Sequence, residues 1–192
     1  TADVSGQGNP GVISGASWST QGKFGNALYF NGANSWVTIN DSPSLDLTNS
    51  MTLEAWVYPT SAMSGWRAVI NKEQPGGFGA AYYLAANSDL NQPELAVYTT
   101  DWHKLYGGPS LNANQWIHLA GTYDGTTLRL YVNGNQVSSQ PQTGGIDVTN
   151  GVLRIGGNSY WGEFFQGRID EVRIYNRALS ASEIQSDMNT AQ

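Results

Sequence analysis

"QWIHLAGTYDGTTLRLYVNGNQV", residues 115–137, decides the fold class. Apolar and polar residues alternate on both sides of Asp124-Gly125, a pair that accepts positive φ at little cost. Leu128, Leu130 and Val132 share one face, as a period of two requires. Asn133-Gly134 then supplies a second hairpin-type turn. The stretch predicts two antiparallel strands, after which the chain turns again.

The same grammar extends outward. "GNALYFNG" (25–32) and "SWVTIN" (35–40) flank a hairpin-type NGAN. "MTLEAWVYP" (51–59) puts Met51, Leu53, Ala55 and Val57 on one face, and Glu54, Trp56 and Tyr58 on the other. "RAVINKE" (67–73) and "AAYYLAAN" (80–87) flank the loop QPGGFG (74–79). "ELAVYTT" (94–100), "GVLRIGG" (151–157) and "GRIDEVRIY" (167–175) complete the set. Short strands at this spacing, with turn signals between them, predict an all-β, two-sheet antiparallel sandwich or jelly roll. Neither an internal repeat nor a domain boundary shows, so residues 1–192 read as a single domain.

Ser180 is followed three residues later by Glu183, a capping box, and Leu179 and Ile184 occupy the positions of a hydrophobic staple. Ile184 and Met188 share a face at i, i+4. The chain is therefore expected to close with about two helical turns from Ser180, docked on the sandwich.

Composition excludes several functions. Nine Lys and Arg against fifteen Asp and Glu leave a formal net charge of −6, with no basic patch to neutralise phosphates. Nucleic acid is an unsuitable partner, although a local Arg or Lys could still read one acidic sugar. The absence of Cys rules out disulfides and a thiol nucleophile. No apolar run reaches the roughly 18 residues of a bilayer span, so membrane insertion is not expected. Only 12% of residues are charged, about half the usual share. Abundant Asn, Ser, Thr and Gln must supply solubility instead, which suits an exported protein. "TADVSGQGNPG" reads like the start of a piece released from a longer precursor.

"GRIDEVRIYNRALSASEI" (167–184) resembles the closing signature of LamG-like (laminin G type 3) domains of the concanavalin A-like lectin/glucanase superfamily. "DVSGQGNPGVISGASWSTQGKFGNALYFNGANSWVTI", "MTLEAWVYP" and "QWIHLAGTYDGTTLRLYVNG" are similar to the family's opening and middle strands. The likeness runs from about residue 3 to 185. It implies a jelly roll of two curved sheets whose concave face often binds glycans, in modules of secreted or cell-surface proteins. It also implies one structural Ca2+. In the family an N-terminal acidic loop meets the Asp of the "IDEV" strand, here Asp3 and Asp170. Two buried like charges would call for a cation, and Asn9 and Asn31 could add amide oxygens. "GRIDEV" would then hold the N-terminal loop through an ion, leaving Arg168 and Arg173 to surface or sheet pairs.

Catalysis needs more than the fold. The superfamily's β-glucanases carry E-x-D-x-x-E on one strand, two carboxylates serving as acid and base or nucleophile. That pattern does not occur. Asp170-Glu171 are adjacent and on a regular strand face opposite ways, and Glu163 stands alone in a loop. Alginate-lyase relatives need clustered Arg, Gln, His and Tyr. His118 is beside a strand tryptophan and suits packing, while His103 has no nucleophile tied to it. The chain is thus expected to be no enzyme.

Sugar recognition combines aromatic rings, which stack on pyranose C–H faces, with a few placed polar groups. Trp36, Trp56 and Trp116 lie in expected strands and, with Trp18, are assigned to packing. Trp66, Trp102 and Trp161 lie in expected loops, where each either packs under its own loop or lines a binding surface. Only one of Tyr82 and Tyr83 can reach a given surface. The candidate ligand site is Trp66, Tyr98, Asp101, Trp102, His103, Asn158, Tyr160 and Trp161, for an oligo- or polysaccharide. The reading is a non-catalytic carbohydrate-binding accessory module that can also contact other domains of a parent protein. A protein-binding adhesion or structural module is the alternative, and a divergent polysaccharide hydrolase or lyase comes third.

Overall fold

The computed structural model describes residues 1–76 and 79–192; of the QPGGFG loop, Gly77 and Phe78 lie outside the described residues. In chain order the strands are β1 (Gly11–Ser14), β2 (Ser17–Ser19), β3 (Ala27–Asn31), β4 (Trp36–Ile39), β5 (Met51–Pro59), β6 (Arg67–Glu73) and β7 (Ala80–Asn87). They continue as β8 (Glu94–Tyr98), β9 (Trp102–Tyr106), β10 (Ile117–Tyr123), β11 (Thr127–Val132), β12 (Asn135–Pro141), β13 (Leu153–Ile155) and β14 (Gln166–Tyr175). Helix α1 (Ala181–Asp187) follows. The described residues form two antiparallel seven-stranded sheets, ordered β1-β4-β13-β6-β7-β8-β9 and β12-β11-β10-β5-β14-β3-β2. This is the jelly-roll sandwich with a short C-terminal helix expected above.

The decisive hairpin forms as its pattern requires. Tyr123 pairs with Leu128 and Leu119 with Val132. Met51, Leu53, Ala55 and Val57 face Leu84, Leu95 and Val97 across the inter-sheet core. Close-packed interiors leave little slack, and Gly121 meets the need directly: a Cβ there would stand 2.4 Å from Leu95 Cδ1. The phenol of Tyr82, buried in the same core, donates to Leu45 O at 3.0 Å.

Helix α1 closes the outside of the second sheet. Ser180 Oγ accepts from Glu183 N, and a Glu183 carboxylate oxygen accepts from Ser180 N at 2.8 Å. Leu179 and Ile184 are buried against Ala120 and Tyr131. Trp56 is buried under this closure, its Nε1 donating to Met188 O at 3.2 Å. His118 is likewise buried, edge-on to Trp56 and 3.5 Å from a Glu54 oxygen.

Several expectations change. Trp18 is not packed: it is 61% exposed on the edge strand β2. Trp36 and Trp116 pack outside the inter-sheet core, against Phe164 and Tyr58. Residues 102–106 form an edge strand, because β8 offers its free edge and Tyr98 pairs with Trp102 across a tight turn. The "IDEV" strand is not regular. It bulges between Asp170 and Arg173, with Glu171 at φ 50. Arg173 is buried, bonding Glu171 Oε2 at 2.8 Å, Asp187 O at 2.8 Å and Thr190 O. It anchors the C-terminal turn instead of a surface pair.

Candidate functional site

The outward face of the first sheet carries the cleft. Small residues make its floor: Ala68, Ala85 and Ala96 are fully buried beneath the half-buried rings of Trp66 and Trp102. Asn71, Tyr83, Ala96 and Lys104 lie in one row across β6, β7, β8 and β9. Because β13 inserts between β4 and β6, the loop after it reaches over this face. It brings Trp161, Gly162 and Glu163 to the opposite wall. The open cleft has a volume of about 460 Å3, within the range of small-molecule sites.

Hydrogen bonds fix the polar groups. Trp66 Nε1 donates to Glu94 Oε2 at 3.0 Å. Tyr83 Oη and Asn158 Nδ2 both donate to Glu163 Oε2, at 2.8 and 2.6 Å. Burial pushes the Glu94 carboxyl up to about 7, against the pull of the Trp66 bond and the Lys104 ammonium. Burial also raises Glu163, while its bonds from Tyr83 and Asn158 pull the other way. Burial, then the Glu163 charge, lifts the Tyr83 phenol well above its usual range, so it stays a donor. Lys104 Nζ stands 5.7 Å from the ring centres of both Trp66 and Trp102, a cation–π placement.

Of the expected ligand residues, the structure brings Trp66, Trp102 and Trp161 into one cleft. Trp102 is held from behind by Gly79, where a Cβ would stand 2.2 Å from the indole, and edge-on by Tyr98. Asn158 is fully buried and positions Glu163, while its Oδ1 accepts from Trp161 N at 2.9 Å. Tyr160 is a support: its hydroxyl donates to Gln74 O and its ring meets Trp161 edge-on. Asp101 only caps the turn, accepting from Trp102 N. His103 alternates away from Trp102 on β9 and bonds Thr99 Oγ1 at 3.0 Å, outside the cleft. Arg67, Tyr83, Glu94, Lys104 and Glu163 complete the lining without having been assigned to the site. Alternation could have found Glu94, since Leu95 and Val97 face inward. No signal in one strand could pair Glu94 with Glu163, 69 residues later.

The expected metal residues are only partly assembled. Asp3, Asn9 and Asp170 border one hollow of about 740 Å3 at the mouth of the sandwich, but Asn31 does not. Asp3 is held by its own loop, accepting from Asn9 N at 2.8 Å and Ser5 N at 2.9 Å, which lower its pKa. Asp170 Oδ2 accepts from Lys23 N and Phe24 N, and Oδ1 from Glu171 N. Asn31 Oδ1 serves its own turn, accepting from Ala33 N and Asn34 N. Among the described residues no three acidic or histidine side chains converge. Calcium takes six to eight oxygens, so side chains here fall well short of a full set.

A family model, described as the Concanavalin A-like lectin/glucanases superfamily, matches residues 31–185. The chain belongs to this superfamily. As a superfamily member it is similar to mouse pappalysin-1, 30% identical over an alignment of 189 positions that covers 85% of this chain and 11% of that protein. Human pappalysin-1 is 42% identical over an alignment of 114 positions that covers 57% of this chain and 6% of that protein. The chain thus spans about a tenth or less of these relatives. Among solved structures, domain 4 of AbnA, a GH43 extracellular arabinanase from Geobacillus stearothermophilus in complex with arabinotriose, aligns with a TM-score of 0.73. It is 24% identical and covers 93% of this chain and 87% of its own. The binding domain of Paraclostridial Mosquitocidal Protein 1 aligns at 0.79 and 18% identity, covering 97% of this chain and 48% of that one. At these identities the likeness shows the fold. The second neighbour is a binding domain and the first holds a bound trisaccharide; among the described residues of this chain no helix is long and apolar enough to cross a membrane.

Proposed function

We propose that this superfamily member is a non-catalytic carbohydrate-binding module of an extracellular protein, with the cleft on the first sheet as its glycan site. The supporting observation is the meeting of Trp66, Trp102 and Trp161 around Glu94 and Glu163, whose carboxylates are oriented by protein donors. Rings that can stack and polar groups that can read hydroxyls are the two parts sugar recognition requires. The arabinotriose bound to the arabinanase domain makes arabino-oligosaccharides the first probes. Binding to a defined oligosaccharide on a glycan array, with affinity confirmed by calorimetry, is the expected result. Silence across the array would overturn the reading and favour protein adhesion, for which the exposed Trp18 offers a contact. Release of reducing sugar or of unsaturated product would show an enzyme.

A structural calcium at the sandwich mouth is a separate proposal. Asp3, Asn9 and Asp170 would hold it, and backbone carbonyls and water would have to complete the shell.

A further inference from the structure

Two carboxylates and two cations line the cleft, and most of their bonding capacity is unmet among the described residues. Glu94 has Oε2 fixed by Trp66, and Glu163 has Oε2 fixed by Tyr83 and Asn158; neither Oε1 has a protein donor among the described residues. Both residues line the cleft and neither Oε1 is among the fully buried unpartnered atoms, although Glu94 as a whole is only 1% exposed. Lys104 and Arg67 form no ion pair among the described residues; Arg67 donates only to the neighbouring Trp66 carbonyl. With both carboxylates ionised, as above pH 7, the groups that line the cleft are charge-balanced, two negative and two positive, in a chain of net charge −6.

From this we infer the ligand class: resting on the carbohydrate reading, the cleft binds a neutral sugar through neighbouring hydroxyls, which donate to the free oxygens of Glu94 and Glu163 and accept from Lys104 or Arg67. A carboxylate held on one oxygen is pre-aimed with the other, so little ordering cost remains when a hydroxyl arrives. A uronate brings a third negative charge beside two partly buried carboxylates, and like charges at short range are costly there. A neutral hydroxyl serves as donor to one group and acceptor to the next, so it matches both signs at once. The volume of about 460 Å3 suits a short oligosaccharide or one end of a chain.

The arrangement carries a pH signature. Glu94 is faced by Lys104 and its cross-strand partner Tyr106 from β9, Tyr83 from β7, Glu163 from the loop after β13 and Asp89 from the turn after β7. Tyr83, Lys104 and Arg67 act on Glu163. Hydroxyl donation favours ionised Glu94, whose carboxyl sits at about 7 in the free protein. Binding should therefore weaken as pH falls through that value.

Calorimetry with arabinotriose, xylotriose, cellotriose and trigalacturonate at pH 8 and pH 5.5 tests the inference, with melting curves to verify folding. A neutral trisaccharide should bind tenfold or more tightly at pH 8 than at pH 5.5. Glu94→Gln and Glu163→Gln should each weaken it tenfold or more, and Glu94→Gln should flatten the pH dependence. Preferential binding of trigalacturonate, or both folded variants binding as the parent does, overturns the inference and leaves the carbohydrate reading standing. Failure of all four sugars at both pH values removes the inference, and array silence then removes the reading beneath it.

Discussion

At the residue scale, Glu94 is held at a cost to stability. Burial raises its folded pKa above the usual carboxylate value. A raised folded pKa gives stability that is full below the unfolded pKa and lost as pH rises through the folded one. The contribution therefore disappears between about pH 4.5 and pH 7. Glu94→Gln should raise the melting temperature at pH 8, by roughly 1–3 kcal/mol of stability, and change little at pH 4. Thermal melts at the two pH values check this. A variant more stable and weaker in binding would mark the carboxylate as placed for ligand. Trp161 presents the opposite case. It is 51% exposed, so Trp161→Ala should leave the melting temperature within about 1–2 °C, in line with surface changes of about 0.5 kcal/mol or less. If the ring stacks on sugar, affinity should fall by about 1–3 kcal/mol, by analogy with interface anchors. Both values come from one protein preparation, by calorimetry and melting.

At the element scale, helix α1 was legible because its signals are local. A capping box needs only Ser180 and Glu183, and the staple only Leu179 and Ile184. Ser180→Ala removes an acceptor for Glu183 N and should cost about 1 kcal/mol, or about 2–4 °C in melting temperature for a domain of this size. The loss should be measurable by circular dichroism melting, with the β-rich spectrum otherwise kept. Strand β9 was not legible in the same way. "DWHKLYGG" has weak alternation, and its strand state comes from the free edge of β8, a partner that exists only after β6, β7 and β8 have assembled. Trp102 therefore changed from a loop residue to an outward strand residue. Its ring still lines the cleft, because both placements leave it outside the inter-sheet core. His103 lost its place for the same reason: a strand sends adjacent side chains to opposite faces.

At the scale of the whole molecule, the "GRIDEV" strand closes the sandwich through peptide N–H groups. Asp170 collects three of them, from Lys23, Phe24 and Glu171. Asp170→Ala orphans those donors and should destabilise the domain by roughly 1–3 kcal/mol or more with or without metal. Calcium is thus tested by chelation of the unmodified protein. If an ion binds the native fold, EDTA should lower the melting temperature and added Ca2+ should restore it; an unchanged melt with no metal in elemental analysis ends that proposal. By itself, the sequence determined what local rules carry: strand periods, Gly-centred turns, the helix cap and the separation of core from outward residues, together with a motif order that resembles one superfamily. Tertiary structure alone decided the cleft. Glu94 and Glu163 meet because β13 inserts between β4 and β6 and sends its following loop over β7. Trp18 stays exposed because β2 lies at a sheet edge and no described residue covers the ring. Alternation fixes which way a side chain points along its own strand, but the partner it meets depends on strand order, and pairings between distant strands leave no period in the chain.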